Sequence, residues 1–376
     1  LLQVTPRLDD GGVEQATLDM AAAVARAGRR SLVASRGGRL EKSLAKSGAG
    51  LIRLPVHSKN PLVLAGCAAR LAQVISRQQV SLVHVRSRAP AFSALTATWF
   101  TRTPMVATYH GVYGGGSGLK RWYNAVMTRG VVTIANSAFT RDHLMAQHAL
   151  AADKVVVVPE GIDTARFDPD AVSPDRVAAA RAAWGLATAD RRTVILLAAR
   201  LTDWKGQRLA VEALRRLPGR DGVVLILAGA AEGSAYAASI EAAAAVAGIS
   251  DNVRLVGPCD DMPAAFLAAD LVIASSTKAE SFGRSVVEAA AMGRPALASR
   301  LGAHTETVAH GQTGWLVTSG DADAWTRAIG TALAIDADAR AAMGAAARAR
   351  ATRLYSLTAM CEATFAAYRR VLEARP

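Results

Sequence analysis

The feature that most limits what this chain can fold into is a repeating alternation of short β-branched runs with longer Ala-rich helical stretches, broken once and then resumed. Such alternation argues for mostly parallel sheets covered by helices. The first series predicts strands near Leu2–Thr5, Ser31–Ala34, Leu51–Leu54, Leu82–Val85, Met105–Thr108, Val131–Ala135 and Val155–Val158. The break is Gly161–Pro174, whose three Asp and two Pro read as a linker. A second series follows at Thr193–Ala198, Val223–Ala228, Val253–Val256, Leu271–Ala274, Pro295–Ser299 and Trp315–Val317. The expectation is an α/β protein of two Rossmann-like, doubly wound domains, 1–172 and 173–355, facing a central cleft. From Ala322 onward the pattern is almost entirely helical. Its last part sets Leu357, Met360, Cys361, Thr364, Phe365 and Tyr368 on one face, so residues 356–376 are expected to pack back on the first domain.

Open α/β sheets bind ligands beyond the carboxyl ends of their strands, which makes the strand-to-helix loops the places to look. The most informative is Glu280-Ser-Phe-Gly-Arg-Ser-Val-Val-Glu288, after the predicted strand Leu271–Ala274. With Glu280 in the loop and Glu288 in the first turns of a helix starting near Ser281 or Gly283, both carboxylates can face the cleft. Between them the backbone N–H groups of Phe282, Gly283 and Arg284 offer an anion or hydroxyl site at a positive helix end. A carboxylate also suits a ribose diol, because it accepts from two adjacent hydroxyls. The bare Glu-x7-Glu spacing is common; the strand–loop–helix setting is what gives it weight.

Three further loops sit in equivalent places. Arg200-Leu-Thr-Asp-Trp-Lys205-Gly206 follows the strand Thr193–Ala198 and carries two cations that suit a diphosphate, one a planar fork and one a point charge. Asp9-Asp10-Gly11-Gly12 lies between the first strand and a helix beginning near Val13, where a Gly pair lets the backbone approach a ligand. It is neither G-x-G-x-x-G nor a P-loop, which argues against a nicotinamide or flavin dinucleotide. Thr108-Tyr109-His110-Gly111 places a histidine at a strand end; a lone histidine is often structural, but this one is expected to face the cleft.

Together these residues resemble glycosyltransferase family 4, retaining enzymes of GT-B fold. The resemblance spans nearly the whole chain: the Gly-Gly loop, the His-Gly turn, Asn136-Ser137, Pro159-Glu160-Gly161-Ile162-Asp163, Arg200-Leu-Thr-Asp-Trp-Lys-Gly-Gln and Glu-x7-Glu occur in the family's order. Tyr109-His110-Gly111-Val112-Tyr113 followed by Leu119-Lys120-Arg121-Trp122-Tyr123 looks like lipopolysaccharide-core members in particular. Two positions depart: the family commonly has Asn at Glu160 and Gly at Ala199. The resemblance implies that Arg200 and Lys205 neutralise a donor diphosphate, and that Gly12, beside Gly11, approaches the distal phosphate. It further implies that Glu288 holds the ribose, and that Glu280 with the Phe282–Arg284 amides holds the transferred sugar. His110 would reach that sugar, and the base would lie near Gly229 and Val256–Met262. The donor would be a UDP- or GDP-sugar and the acceptor a glycan or lipid-linked glycan.

Composition narrows the classes. Asp168-Pro-Asp170, Asp321-Ala-Asp323 and Asp336-Ala-Asp338 look like metal-binding pairs but fall in the linker or at helix starts, so caps and turns are expected, with no metal and no cofactor. The three cysteines, Cys67, Cys259 and Cys361, have no metal-ligand spacing and read as reduced thiols. No apolar run approaches the roughly 20 residues of a membrane span, and the visible start lacks a signal pattern, so a cytoplasmic location is expected. Residues 1–172 hold 21 Lys/Arg against 11 Asp/Glu, and between Arg26 and Arg141 stand 18 basic residues and one acid, Glu41. That field attracts polyanions, and with Trp122 and Tyr123 beside Lys120 and Arg121 it suggests peripheral contact with an anionic inner-membrane face. The alternatives are a solvated basic face, a sugar-nucleotide epimerase of the same fold, or a nucleic-acid binder. The last is disfavoured, because aromatics are only 5% and no binding module is present.

Overall fold

The computed structural model describes residues 1–9, 11–113, 117–231 and 234–374. The chain forms two compact units: Leu1–Gly161 with the segment from Leu357 onward, and Ile162–Ser356. The division falls at Gly161, so residues 162–172, placed above with the first domain, belong to the second unit. The linker composition hid two anchors. Ile162 and Phe167 are buried in a core with Trp184 and Phe266, and the Ile162 N–H donates to the Tyr355 carbonyl at 2.7 Å.

In the first unit seven strands form one parallel sheet: β1 (Leu2–Val4), β2 (Leu32–Ser35), β3 (Gly50–Arg53), β4 (Val83–Val85), β5 (Met105–Tyr109), β6 (Val132–Ala135) and β7 (Val155–Val157). Their order is β3-β2-β1-β4-β5-β6-β7. The second unit holds a parallel six-stranded sheet of β8 (Thr193–Ala198), β9 (Val223–Ala228), β10 (Val253–Gly257), β11 (Leu271–Ala274), β12 (Ala296–Ser299) and β13 (Gly314–Val317), ordered β10-β9-β8-β11-β12-β13. Strand order reverses between β1 and β4 and again between β8 and β11, and such switch points are where open sheets bind ligands.

The strands read as near-continuous apolar runs because both faces are covered. Val194 and Leu196 of β8 enter one core while Ile195 and Leu197 enter the other, and β9 splits Val224 and Ile226 from Leu225 and Leu227 in the same way. The C-terminal helix Leu357–Glu373 buries Met360, Cys361, Thr364, Tyr368 and Val371. It packs with Met20 and Val24 of the helix Gly12–Arg26 and with Val106 and Ile134 of the first sheet. Among the described residues no helix is long and apolar enough to cross a membrane.

Candidate active site

At the β8/β11 switch point, two loops are held against each other by a glycine. Gly206 follows a 3-10 turn at Asp203–Lys205 and has φ 77°, a left-handed conformation that side chains resist. A Cβ there would overlap the Ser275 carbonyl oxygen and stand 2.8 Å from its carbon. The Ser275 hydroxyl donates to the Gly206 carbonyl at 2.9 Å, and the Thr277 N–H to the Trp204 carbonyl at 2.7 Å. This clasp brings Lys205 Nζ to 2.7 Å from Glu280 Oε1, with the ammonium 4.4 Å from the Trp204 ring centroid.

Glu280 Oε1 also accepts from the Ser276 hydroxyl at 2.5 Å. Its Oε2 has no hydrogen-bond partner among the described residues and is the oxygen left for a ligand. Burial raises the carboxyl pKa, but the Lys205 ammonium and the Ser276 hydroxyl beside it outweigh burial and hold the group below its ordinary value, as an anion. Gly302 packs under this loop, where a Cβ would lie 2.5 Å from the Glu280 carbonyl oxygen, and the Ala303 N–H donates to that oxygen at 2.9 Å.

The helix carrying the second carboxylate spans Arg284–Ala291 and starts from Gly283, φ 85°, with no side-chain cap. Phe282 is buried against Tyr355, ring centroids 5.5 Å apart, so only its backbone can meet a ligand. Arg284 donates to Glu288 Oε1 at 3.1 Å. Arg200 is exposed just past β8, with its carbonyl accepting from Gln207 Nε2 at 2.9 Å. Gly229, just past β9, stacks its backbone on the Ala199 carbonyl, where a Cβ would overlap the oxygen. The second unit therefore unites Lys205 with Glu280 directly, pairs Arg284 with Glu288, and places Gly229 under the Arg200 loop.

In the first unit His110 lies just past β5. Its Nδ1 is 3.3 Å from Glu160 Oε1, which also accepts from Asn136 Nδ2 at 3.0 Å. Glu160, a departure from the family pattern, thus receives two neighbours at one oxygen. His110 Nε2 is 3.5 Å from Arg86 Nη1, and Arg86, only 5% exposed, donates from Nε to Gln3 at 3.0 Å. Gly11 caps the helix Gly12–Arg26 without a side-chain bond; Asp10 lies outside the described residues. The three Asp pairs are turns and caps: Asp168 accepts from Asp170 N, Asp321 from Ala324 N and Asp336 from Ala339 N.

Sequence reasoning missed Arg86, Ser276 and His304. Arg86 follows β4 directly and Ser276 lies two residues past β11, so the strand-end rule that found His110 and Glu280 covers them as well. His304 gave no such signal.

The segment with Lys120, Arg121, Trp122 and Tyr123 forms a helix, Gly118–Ala125. Leu119 and Trp122 are 76% and 60% exposed and Lys120 and Arg121 are exposed, whereas Tyr123 is half-buried; both aromatic rings meet Phe92, with centroids 5.6 Å and 5.2 Å away.

Two parallel, doubly wound units are the architecture of GT-B glycosyltransferases. A solved glycosyltransferase from Rickettsia africae is similar throughout, with a TM-score of 0.92 at 30% identity over 100% of this chain and 98% of that one. The family models for Glycosyltransferase Family 4 and for Glycosyl transferases group 1 match residues 10–166 and 181–350. A GDP-mannose-dependent alpha-(1-6)-phosphatidylinositol monomannoside mannosyltransferase of Mycolicibacterium smegmatis is 31% identical over 322 residues, 82% of this chain and 81% of that protein. A D-inositol 3-phosphate glycosyltransferase of Segniliparus rotundus is 34% identical over 64% of this chain, which spans about half, 52%, of that relative. The chain belongs to glycosyltransferase family 4 and is a glycosyltransferase.

Proposed function

We propose that this chain transfers a sugar, with retention of anomeric configuration and without a metal, from a UDP- or GDP-sugar to a glycan or lipid-linked acceptor in cell-envelope glycan synthesis. The observation that carries the reading is the clasp at the β8/β11 switch point, which holds Lys205 against Glu280 and leaves Oε2 of that carboxylate open. Arg200 and Lys205 neutralise the leaving diphosphate, the largest charge that develops in the transfer. Glu280 Oε2 and the backbone N–H groups of Phe282, Gly283 and Arg284 hold the sugar, and Glu288 accepts from the ribose hydroxyls. His110, braced by Glu160, serves from the first unit, as does the Gly11–Gly12 helix start. A GDP-mannose donor in the mycobacterial relative favours including GDP-sugars in the search.

Assignment to lipopolysaccharide or another envelope glycan rests on the Tyr109–Tyr113 and Leu119–Tyr123 segments. Peripheral membrane contact rests on the exposed Leu119 and Trp122 beside Lys120 and Arg121. The test is a thermal-shift panel of UDP-, GDP- and ADP-sugars, since ligand binding raises apparent stability, followed by NMR of the product anomer in EDTA. A shift with one donor class and a retained anomer in EDTA is expected. An inverted anomer, or activity that needs added magnesium, refutes the corresponding part.

A further inference from the structure

His304 opens the single helical turn His304–Thr307, immediately after the residue whose N–H grips the Glu280 carbonyl. Its side chain is 1% exposed, and neither ring nitrogen makes a hydrogen bond of normal geometry among the described residues, the Ser299 backbone lying beside the ring without one. Burying an unsatisfied polar ring is costly, and an apolar side chain of similar size would avoid the cost, so the imidazole calls for an explanation. Its Nε2 stands 4.0 Å from Glu280 Oε1, just outside hydrogen-bonding range. The same edge of the ring rests on Gly283, where a Cβ would lie 2.6 Å from Cδ2 and 2.7 Å from Nε2. Burial first, and the push of Lys205, keep the histidine pKa below its ordinary value, against the pull of Glu280 and of the Ser299 backbone beside the ring. The ring is therefore neutral and can donate from one nitrogen while keeping its proton.

Glu280 Oε1 takes every bond described for this carboxylate: Lys205 Nζ and the Ser276 hydroxyl. A diphosphate competes for Lys205, and each step of the ammonium toward phosphate strips Oε1 of its charged donor. A carboxylate this buried then needs a replacement or it swings away from the sugar. We propose that His304 is a positioning residue whose Nε2–H takes the place of Lys205 on Glu280 Oε1 as Lys205 turns to the leaving diphosphate. Oε2 thereby stays fixed on the transferred sugar. No proton changes owner; one hydrogen bond opens and another closes. This inference rests on the reading of Lys205 as the diphosphate's counter-ion.

The experiment uses the full chain with UDP-glucose and GDP-mannose as probes. It measures release of nucleoside diphosphate by transfer to water and, by calorimetry, the affinity for UDP and GDP without sugar. Three variants are compared: His304→Leu, His304→Gln, whose amide nitrogen can reach the place of Nε2, and Lys205→Met. His304→Leu is expected to lower turnover roughly ten- to hundredfold, the worth of a hydrogen bond to a charged partner, with nucleotide affinity unchanged. His304→Gln is expected to recover most of that loss. Wild-type turnover in His304→Leu overturns the proposal. So does a loss that Gln fails to rescue, or one matched by an equal loss of UDP and GDP affinity, because either marks a structural role only. Wild-type turnover in Lys205→Met overturns instead the reading of Lys205 on which the proposal stands.

Discussion

Gly206→Ala tests whether the clasp between the β8 and β11 loops governs both stability and chemistry. Two costs add at this position. An L-residue held at φ 77° pays about 1–2 kcal/mol against the left-handed conformation. The new methyl also meets the Ser275 carbonyl, with its carbon at 2.8 Å, and that is backbone that cannot rotate away; overpacking of this kind adds about 1–3 kcal/mol. Gly219 separates the two terms, because its φ is 73° but a Cβ there meets nothing within 4 Å. Gly219→Ala should therefore show the conformational cost alone. For a unit of this size 1 kcal/mol moves the melting midpoint by about 2–4 °C. Gly206→Ala is thus expected to lower it by roughly 5–15 °C, and Gly219→Ala by only a few degrees, in a thermal melt followed by circular dichroism. Relief of the clash must push Lys205 away from Glu280, and a misplacement near 1 Å costs about a hundredfold in turnover. Donor turnover should therefore collapse in Gly206→Ala and persist in Gly219→Ala. Equal melting shifts in the two variants, or full turnover in Gly206→Ala, would refute the reasoning.

Glu288→Ala should weaken donor binding by roughly 1.5–3 kcal/mol if the carboxylate accepts from a ribose diol; unchanged affinity in calorimetry, with the fold intact, removes it from the site. His84 is buried between the Tyr368 hydroxyl at 2.6 Å and the Thr108 hydroxyl at 2.7 Å, and burial, then Arg86 and His110, hold its pKa well below 6.5. A histidine with a depressed folded pKa contributes stability above its unfolded pKa and loses it as pH falls from there, by up to about 1.4 kcal/mol per pH unit. Wild-type denaturation midpoints should accordingly drop more steeply from pH 7 to pH 5.5 than those of His84→Gln, and matching slopes would exclude His84 as the cause. In vesicle flotation the chain should bind anionic membranes at low salt and release at high salt, each basic side chain near the surface contributing about 1 kcal/mol. Trp122→Ala should weaken that binding, and equal recovery with neutral vesicles sinks the docking reading.

The strands were legible because parallel strands buried on both faces must be apolar along their length, and Val194–Leu197 and Val223–Ala228 leave no polar position to blur the run. That Lys205, Glu280 and Gly283 stand on loops at the carboxyl ends of β8 and β11 was legible from the strand runs that precede them. The unit boundary was not legible. Ile162 and Phe167 stand among Asp and Pro, and only tertiary packing against Trp184 and Phe266 makes them core. Nor was His304, twenty-four residues beyond Glu280 in sequence, since nothing local shows that the Gly302 turn returns it to within 4.0 Å of that carboxylate.

Helix capping ties the two units to one logic. Asn60, Ser117, Ser137, Ser173, Asp321 and Asp336 each accept from a backbone N–H of the helix they begin, the ordinary way to satisfy first-turn donors. Among the described starts of helices of eight or more residues, four have no side-chain cap: Gly12–Arg26, Arg88–Thr101, Gln207–Arg216 and Arg284–Ala291. These follow β1, β4, β8 and β11, the strands that flank the two switch points. Three of the four start from glycine, which gives up only a few tenths of a kcal/mol of capping relative to Ser or Asp. In the fourth, Ser87 has the side chain but makes no cap bond. Donors left open at a positive helix end fit an anion or a hydroxyl. The chain thus withholds its own caps at the positions where an open sheet receives a ligand, and that choice is written in Gly11, Gly206 and Gly283 before any side chain is placed.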